Sequence, residues 1–72
     1  MGWDTVQADW QRHVGQVRIR WGRLTEEDLK EINGRRDVLA EKIQRKYDLP
    51  KVNAEEEITI FARRFDKATH HG

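Results

Sequence analysis

The 72-residue sequence contains no cysteine and no serine. Without cysteine the chain cannot form a disulfide, a thiolate metal site or a catalytic thiol. Without serine it lacks the commonest oxygen nucleophile of enzymes. It also has no apolar run near the roughly 20 residues that a membrane-spanning helix requires. Its first residues have neither the basic cluster nor the apolar stretch of a signal peptide. These features predict a cytoplasmic protein that does not enter a membrane.

Large apolar residues are scarce, because leucine, isoleucine, valine and phenylalanine together make up 16 of 72 residues. Highly charged chains tend to stay disordered below a fraction of roughly 20%. Charge balance favours folding here, since 14 basic residues nearly match 13 acidic ones and three tryptophans add surface to bury. We therefore expect residues 1–72 to form one domain with a thin core, ordered over residues 3–66 and frayed from Lys67 onward.

The opening segment has apolar residues at helical spacing. They recur every three or four residues, at Trp3, Val6, Trp10, Val14, Val17 and Trp21. This spacing predicts a single helix with one buried stripe. Asp4 is the expected N-cap and Gly22 the expected end. Gly15 interrupts the helix, and a second helix crossing closely at this point would explain it.

Three further amphipathic helices are expected after the first. Thr25 is predicted to cap the second helix, which stops at Asn33. The third covers residues 35–47, and the fourth begins after Pro50 with Asn53 as its N-cap. Since no other segment supplies partner strands, the sequence predicts an all-α fold, a compact bundle of four short helices.

The basic helix over residues 35–47 raises the alternative of a nucleic-acid-binding module. The side chains that would face DNA are Arg35, Arg36, Gln44, Arg45 and Lys46. Acids that open the helices and bases that close them give another explanation, since the helix dipole favours that arrangement. Acid–base pairs one turn apart are also expected, namely Glu26–Lys30, Glu31–Arg35 and Glu41–Arg45. Structural charge is therefore the preferred interpretation.

No residue group matches a catalytic, cofactor-binding or metal-binding pattern. His13 lies one turn after Asp9, but one internal histidine without cysteine falls short of the ligands that a metal needs. No glycine-rich phosphate loop is present in the sequence. We therefore predict no catalytic residue, no cofactor and no metal ion, and a protein that is not an enzyme.

Two isoleucines break the amphipathic pattern. At about 100° per residue, Ile19 falls opposite the tryptophan stripe, and Ile60 points away from the face of Ile58 and Phe61. Single exposed apolar residues are common, but an apolar spot ringed by arginines can also bind a partner. The hypothetical partner-binding surface consists of Arg12, Ile19, Arg20 and Arg23. We expect a monomer for which another protein is the candidate partner.

Residues 15–25 read Gly-Gln-Val-Arg-Ile-Arg-Trp-Gly-Arg-Leu-Thr, and an acidic triplet follows. Together with residues 34–39 and 42–47, this segment resembles the CsbD-like family of small bacterial stress-response proteins. The resemblance implies a cytoplasmic protein made under general stress, with two helical hairpins packed crosswise and no established catalytic residue, cofactor or partner. The sequence departs from the family pattern at Ile19, where a charged residue is typical, and at Glu41 and Asp48, where glycine is common.

Overall fold

The computed structural model describes the backbone of residues 2–71 and the side chains of residues 2–64. This part of the chain forms five helices, α1 (Gly2–Ala8), α2 (Trp10–Arg20), α3 (Glu26–Ile32), α4 (Arg36–Tyr47) and α5 (Lys51–His71). Residues 2–71 contain no strand. The predicted all-α class is therefore confirmed, whereas the predicted number of four helices is wrong.

The additional helix arises because the predicted first helix is broken at Asp9. The backbone angles of Asp9, φ −129° and ψ 53°, are not helical. Its carbonyl oxygen accepts hydrogen bonds from the amides of Arg12 and His13 at 3.0 and 3.3 Å, and His13 Nδ1 lies 2.9 Å from it. Periodicity does not reveal the break, since Trp3 and Trp10 on either side are both buried, with ring centroids 6.3 Å apart.

The predicted ends of the first helix are both wrong. The helix begins at Gly2, so Asp4 lies within the first turn and is not the N-cap. It starts early because Gly2 packs directly on α5, where a Cβ at Gly2 would lie 2.7 Å from the carbonyl oxygen of Ala62. At the other end α2 stops at Arg20, two residues before Gly22, because Trp21 leaves the helical conformation with φ −123° and ψ 78°.

The predicted ends of α3 are confirmed. The Thr25 hydroxyl accepts a hydrogen bond from the Asp28 amide at 3.1 Å, and the Asp28 carboxylate accepts one from the Thr25 amide at 3.0 Å. This reciprocal capping box satisfies amides that the first turn leaves without partners. Asn33 ends the helix in the left-handed conformation with φ 43°, and Gly34 follows with φ 86°.

The last helix begins earlier than predicted. It starts at Lys51, so Asn53 lies inside the first turn and is not its N-cap. The carbonyl oxygen of Pro50 accepts hydrogen bonds from the amides of Asn53 and Ala54, both at 3.1 Å. The ring of Pro50 fixes φ near the helical value, which prepares the chain to start a helix at once.

The core forms where α5 meets α1 and α4, while α3 packs on α4. All three tryptophans of the predicted stripe are buried, as are Val6 and Val17, and Val14 is partly buried. Among the described side chains of α5, the buried ones are Ala54, Ile58, Phe61 and Ala62. The Cα radius of gyration is 11.6 Å, close to the ~11 Å expected for a compact chain of this length. The predicted burial of Phe65 and fraying from Lys67 lie outside the described side chains and stay predictions.

Apart from the local pair between Asp9 and Arg12, the ion pairs of the described residues link different helices. Glu26 pairs with Arg18 of α2 at 3.4 Å, and Glu31 pairs with Lys42 of α4. The predicted pairs Glu26–Lys30, Glu31–Arg35 and Glu41–Arg45 are not formed in the described part of the chain. A one-dimensional pattern cannot reveal these contacts, because their partners are eight and eleven residues apart.

Candidate partner-binding surface

Two of the isoleucines lie on the protein surface, as the pattern indicates. Ile19 exposes 77% of its surface on α2, whereas Val17 on the opposite side of the same helix is fully buried. Ile60 exposes 53% of its surface on α5. Val52 is exposed as well. Sequence reasoning missed Val52 because it placed the start of that helix at Asn53, after this residue.

Two of the four residues in the predicted partner-binding surface have contacts that stabilise the fold. Arg20 Nη2 donates a hydrogen bond to Glu57 Oε1 at 3.2 Å and so connects α2 to α5. Arg23 Nη1 donates to the carbonyl oxygen of Lys46 at 3.1 Å, and its guanidinium lies 5.4 Å from the ring centroid of Tyr47. These arginines hold helix ends together, so their presence near Ile19 does not require a partner.

Arg12 differs from them, since 81% of its side chain is exposed. Among the described residues it forms one ion pair, a 3.5 Å contact with Asp9 three residues earlier. Such exposed pairs contribute less than about 1 kcal/mol, so they yield readily to a better partner. Arg12 lies seven residues before Ile19, about 10 Å along the helix axis at 1.5 Å per residue. Arg12 and Ile19 are therefore the two predicted residues that remain available to a partner.

A surface cleft of about 350 Å³ lies between α2 and α3. Arg12 and Ile19 do not line it, but each lies about one helical turn from Gly15, which does. Its lining comes from both helices and consists of Trp10, Gln11, Val14, Gly15, Arg18, Glu26, Leu29 and Lys30. The ion pair between Arg18 and Glu26 joins the two walls. We call this feature the α2–α3 cleft. Sequence reasoning did not find it, because it depends on how two helices sit against each other.

Gly15 lines the cleft and explains part of its depth. A Cβ atom at this position would meet no other atom within 4 Å. The expectation that another helix crosses closely at Gly15 is therefore wrong. The close helix crossing is at Gly2, against Ala62. Gly15 instead leaves an open stretch of helix backbone next to apolar side chains.

The charge on this side of the molecule is one-sided. Residues 10–25 include four arginines and no acidic residue. Facing acids come from other segments, Glu26 against Arg18 and Glu57 against Arg20. Lys30 on the opposite wall of the cleft forms no ion pair with any of the described residues. The charged residues that line the cleft are thus two cations, Arg18 and Lys30, and one anion, Glu26.

The basic residues of α4 are largely engaged inside the protein. Arg36 donates to Glu55 Oε1, to the Glu55 carbonyl oxygen and to Thr59 Oγ1 at 3.1, 3.1 and 2.6 Å. Lys46 Nζ lies 3.2 Å from Asp28 Oδ2. Arg35 and Arg45 are exposed and Gln44 is half-buried. Arg36 and Lys46, two of the four cations in the predicted DNA-facing set, are therefore neutralised. Nothing in the described part of the chain supports the nucleic-acid alternative.

Asp28 is the buried charged residue of the described side chains. Its carboxylate accepts the Thr25 amide and lies 3.4 Å from Lys42 and 3.2 Å from Lys46. The hydrogen bond from Thr25, helped by the lysines and opposed by burial, lowers the pKa of Asp28 from 3.8 to about 2. Lys42 in turn has a raised pKa, chiefly because Glu31 accepts its hydrogen bond. This cluster fastens α3 to α4.

A second depression, of about 360 Å³, lies between α4 and α5. Acids line it at Asp37, Glu41 and Glu55, with Lys51 beside them.

Among the described residues no group of three or more histidines, cysteines or acids is placed to hold a metal ion. His13 Nδ1 lies 2.9 Å from the Asp9 carbonyl oxygen. None of the helices formed by the described residues is long and apolar enough to span a bilayer.

Comparison with known proteins identifies the family of the chain. A UPF0337 protein of Nitrosomonas europaea is 38% identical over 68 residues, which cover 94% of this chain and 72% of that protein. The UPF0337 protein YjbJ of Escherichia coli is 38% identical over 92% of this chain and 96% of its own length. The chain belongs to the UPF0337 family. A UPF0337 protein of Pseudomonas aeruginosa is 34% identical over 89% of this chain and 98% of its own length.

UPF0337 is the CsbD-like family, so the family resemblance seen in residues 15–25 is supported. No family model matches this UPF0337 chain. No solved structure matches it significantly either. The names of the UPF0337 relatives state no activity, ligand or partner. These names therefore indicate no function for this chain.

Proposed function

We propose that this UPF0337 chain is a non-enzymatic, cytoplasmic stress-response protein of bacteria that acts by binding another protein. The α2–α3 cleft, beside exposed Ile19 and Arg12, is the observation that carries the binding role. When a partner displaces water from an exposed apolar recess, the free energy of the complex is lowered. The stress setting is supported by the likeness to the CsbD-like family.

Two features favour binding over catalysis. The sequence offers no cysteine or serine nucleophile. Asp28 is the buried carboxylate among the described residues, but its pKa of about 2 makes it a weak base near neutral pH. Its oxygens are also occupied by Thr25, Lys42 and Lys46. The chain therefore has better means to hold a partner than to transform a substrate.

The alternative from the sequence, a nucleic-acid-binding module on α4, has less support. Arg36 and Lys46 would have to leave Glu55 and Asp28 before they could contact phosphates. Titration with duplex DNA at low salt tests this alternative, because phosphate contacts are strongest there. Tight binding that weakens steeply with salt would favour the alternative over the proposed function.

A complementation experiment tests the proposed function. The abundance of the chain is measured in unstressed and stressed cells of its host, and a deletion strain is then supplied with wild-type or variant genes. Ile19→Asp changes the proposed surface, and Val52→Asp is the matched control because Val52 is equally exposed on another helix. We expect abundance to rise under stress, Val52→Asp to restore survival and Ile19→Asp to fail. Constant abundance, or equal rescue by both variants, would contradict the proposal.

A further inference from the structure

We infer that the α2–α3 cleft and the adjoining face of α2 bind an acidic amphipathic segment of another protein. One apolar side chain of that segment occupies the cleft, and carboxylates beside it pair with Arg12 and Lys30. This inference rests on the proposed function and adds the chemistry of the partner. Three observations on the cleft lead to it.

The floor of the cleft accepts an apolar group. Trp10, Val14 and Leu29 contribute to its lining, and Val14 is only partly buried by the rest of the chain. The volume of about 350 Å³ lies within the range of roughly 300–1,000 Å³ that is typical of ligand sites. Ile19 is the exposed apolar residue one turn beyond Gly15, so it extends the apolar contact along α2. A bound side chain therefore finds apolar surface below and beside it.

Gly15 gives the occupant access to the helix backbone. It lies inside α2 with an ordinary negative φ, and no neighbour comes within 4 Å of a Cβ built on it. Neither backbone strain nor a contact within the chain therefore requires glycine here. A larger residue would project into the cleft that Gly15 lines. The position keeps the cleft open at the expense of helix propensity.

Charge selects the kind of occupant. Arg12 keeps most of its side chain in solvent, and Lys30 forms no ion pair with the described residues. Arg18 already shares Glu26 across the mouth of the cleft. Carboxylates that flank the apolar side chain would therefore meet Lys30, which is unpaired among the described residues, and Arg12, whose pair with Asp9 is exposed and weak. Such contacts favour binding and speed encounter.

Two other occupants are disfavoured by the same observations. A second copy that packed α2 against α2 would place two arginine-rich segments together, because residues 10–25 contain four arginines and no acid. A nucleic acid would find cations but would leave the apolar floor of Trp10, Val14 and Leu29 without a complementary group. An acidic amphipathic segment satisfies both the charge and the apolar recess.

Selection from a phage-displayed library of random peptides on the immobilised intact chain tests the inference. Enriched peptides are then synthesised, and their affinities are measured for the wild type and for three variants. Gly15→Leu fills the cleft, and a double variant, Arg12→Glu with Lys30→Glu, reverses its border charge. Val52→Asp is the control at an exposed site on α5 that does not line the cleft.

We expect the enriched peptides to carry aspartate or glutamate around a leucine, phenylalanine or tryptophan. Gly15→Leu should weaken their binding roughly tenfold or more while its melting temperature stays equal to or above that of the wild type. The charge reversal should weaken binding as well, and Val52→Asp should leave it unchanged. Retained folding of Gly15→Leu separates a filled cleft from a disrupted protein.

The inference fails if no peptide is enriched, if enriched peptides are basic, or if they bind Gly15→Leu as well as the wild type. Concentration-dependent dimerisation that Gly15→Leu abolishes would assign the cleft to a second copy. Duplex DNA binding that Gly15→Leu abolishes would assign it to nucleic acid. If Ile19 is needed for survival under stress but no acidic peptide is enriched, the proposed function stands and the partner chemistry is wrong.

Discussion

The indole N–H of Trp21 donates a hydrogen bond to Glu57 Oε1 at 3.0 Å, and this contact connects the end of α2 to α5. Trp21 is almost fully buried, and its ring lies 5.1 Å from that of Phe61. Arg20 donates to the same carboxylate oxygen from the solvent side. One acid therefore satisfies a buried donor and neutralises an arginine beside the proposed partner-binding surface.

Replacing Glu57 should show how much the Trp21 contact contributes. Glu57→Ala leaves the indole N–H without its acceptor and should lower the free energy of unfolding by about 1–3 kcal/mol. Glu57→Gln retains an acceptor and should cost less. Urea unfolding followed by tryptophan fluorescence measures both. Equal losses for the two variants would show that the charge, rather than the hydrogen bond to Trp21, provides the stability.

Alanine at Gly15 and alanine at Gly2 should change the free energy of unfolding in opposite directions, because the two glycines have different surroundings. Gly15 has open space, so Gly15→Ala should raise the free energy of unfolding by roughly 0.5–1 kcal/mol through helix propensity. Gly2 lies against Ala62, where a Cβ would come within 2.7 Å of a backbone oxygen. Gly2→Ala should therefore cost about 1–3 kcal/mol. Thermal unfolding followed by circular dichroism checks this pair, and a stabilising Gly2→Ala would contradict the described packing of α1 on α5.

Asp28 should make stability depend on pH in acid. Its pKa is lowered to about 2, so the folded state holds its proton less tightly than the unfolded state. The stabilisation is then complete above roughly pH 4 and is lost as the pH falls towards 2. Asp28→Asn should cost about 1–2 kcal/mol at neutral pH. Its deficit should shrink over the same acid range in urea titrations.

A deficit of Asp28→Asn that stays constant from neutral pH to pH 2 would show that the carboxylate charge contributes nothing. Thr25→Ala is the matched variant, because Thr25 supplies the other half of the capping box. It removes the hydroxyl but leaves the amide that lowers the pKa of Asp28. Its unfolding free energy should fall by about 1 kcal/mol, with most of the acid dependence retained.

Asp48 ends α4 in the left-handed conformation, with φ 55°. Glycine adopts this conformation without steric cost, and a negative charge is unfavourable at the C-terminal end of a helix. Asp48→Gly should therefore raise the free energy of unfolding by roughly 0.5–1 kcal/mol. Asp48→Asn removes only the charge and should give part of that gain. A loss of stability in Asp48→Gly, measured by chemical unfolding, would contradict this explanation.

The sequence predicted most of what depends on local chemistry. The apolar spacing identified the buried tryptophans, and Thr25 identified the start of α3. It failed where contacts across the fold decide the outcome. The break at Asp9 leaves the apolar stripe intact, so periodicity cannot detect it. The early start of α5 follows from Pro50, whose carbonyl oxygen accepts the amides of Asn53 and Ala54 and so places Asn53 inside the first turn.

The candidate surface was predicted in part. The exposed Ile19 followed from its angular position on the helix. The hydrogen bond from Arg20 to Glu57 could not be predicted in this way, since those residues lie 37 positions apart. The α2–α3 cleft was also missed, because it arises between helices joined by a loop whose path the sequence does not specify. Gly15 is a local signal of the cleft, but a glycine inside a helix indicates a close helix contact as readily as an open surface.

The most direct test of the partner-binding surface is site-specific photocrosslinking in stressed cells of the host. The photoreactive residue benzoylphenylalanine replaces Ile19 in one strain, Val52 in a second and Ile60 in a third, since all three are exposed. We predict a protein adduct at position 19 that is missing at positions 52 and 60. An adduct at position 52 or 60 with none at 19, or an adduct at 19 to nucleic acid or to a second copy, would contradict the account.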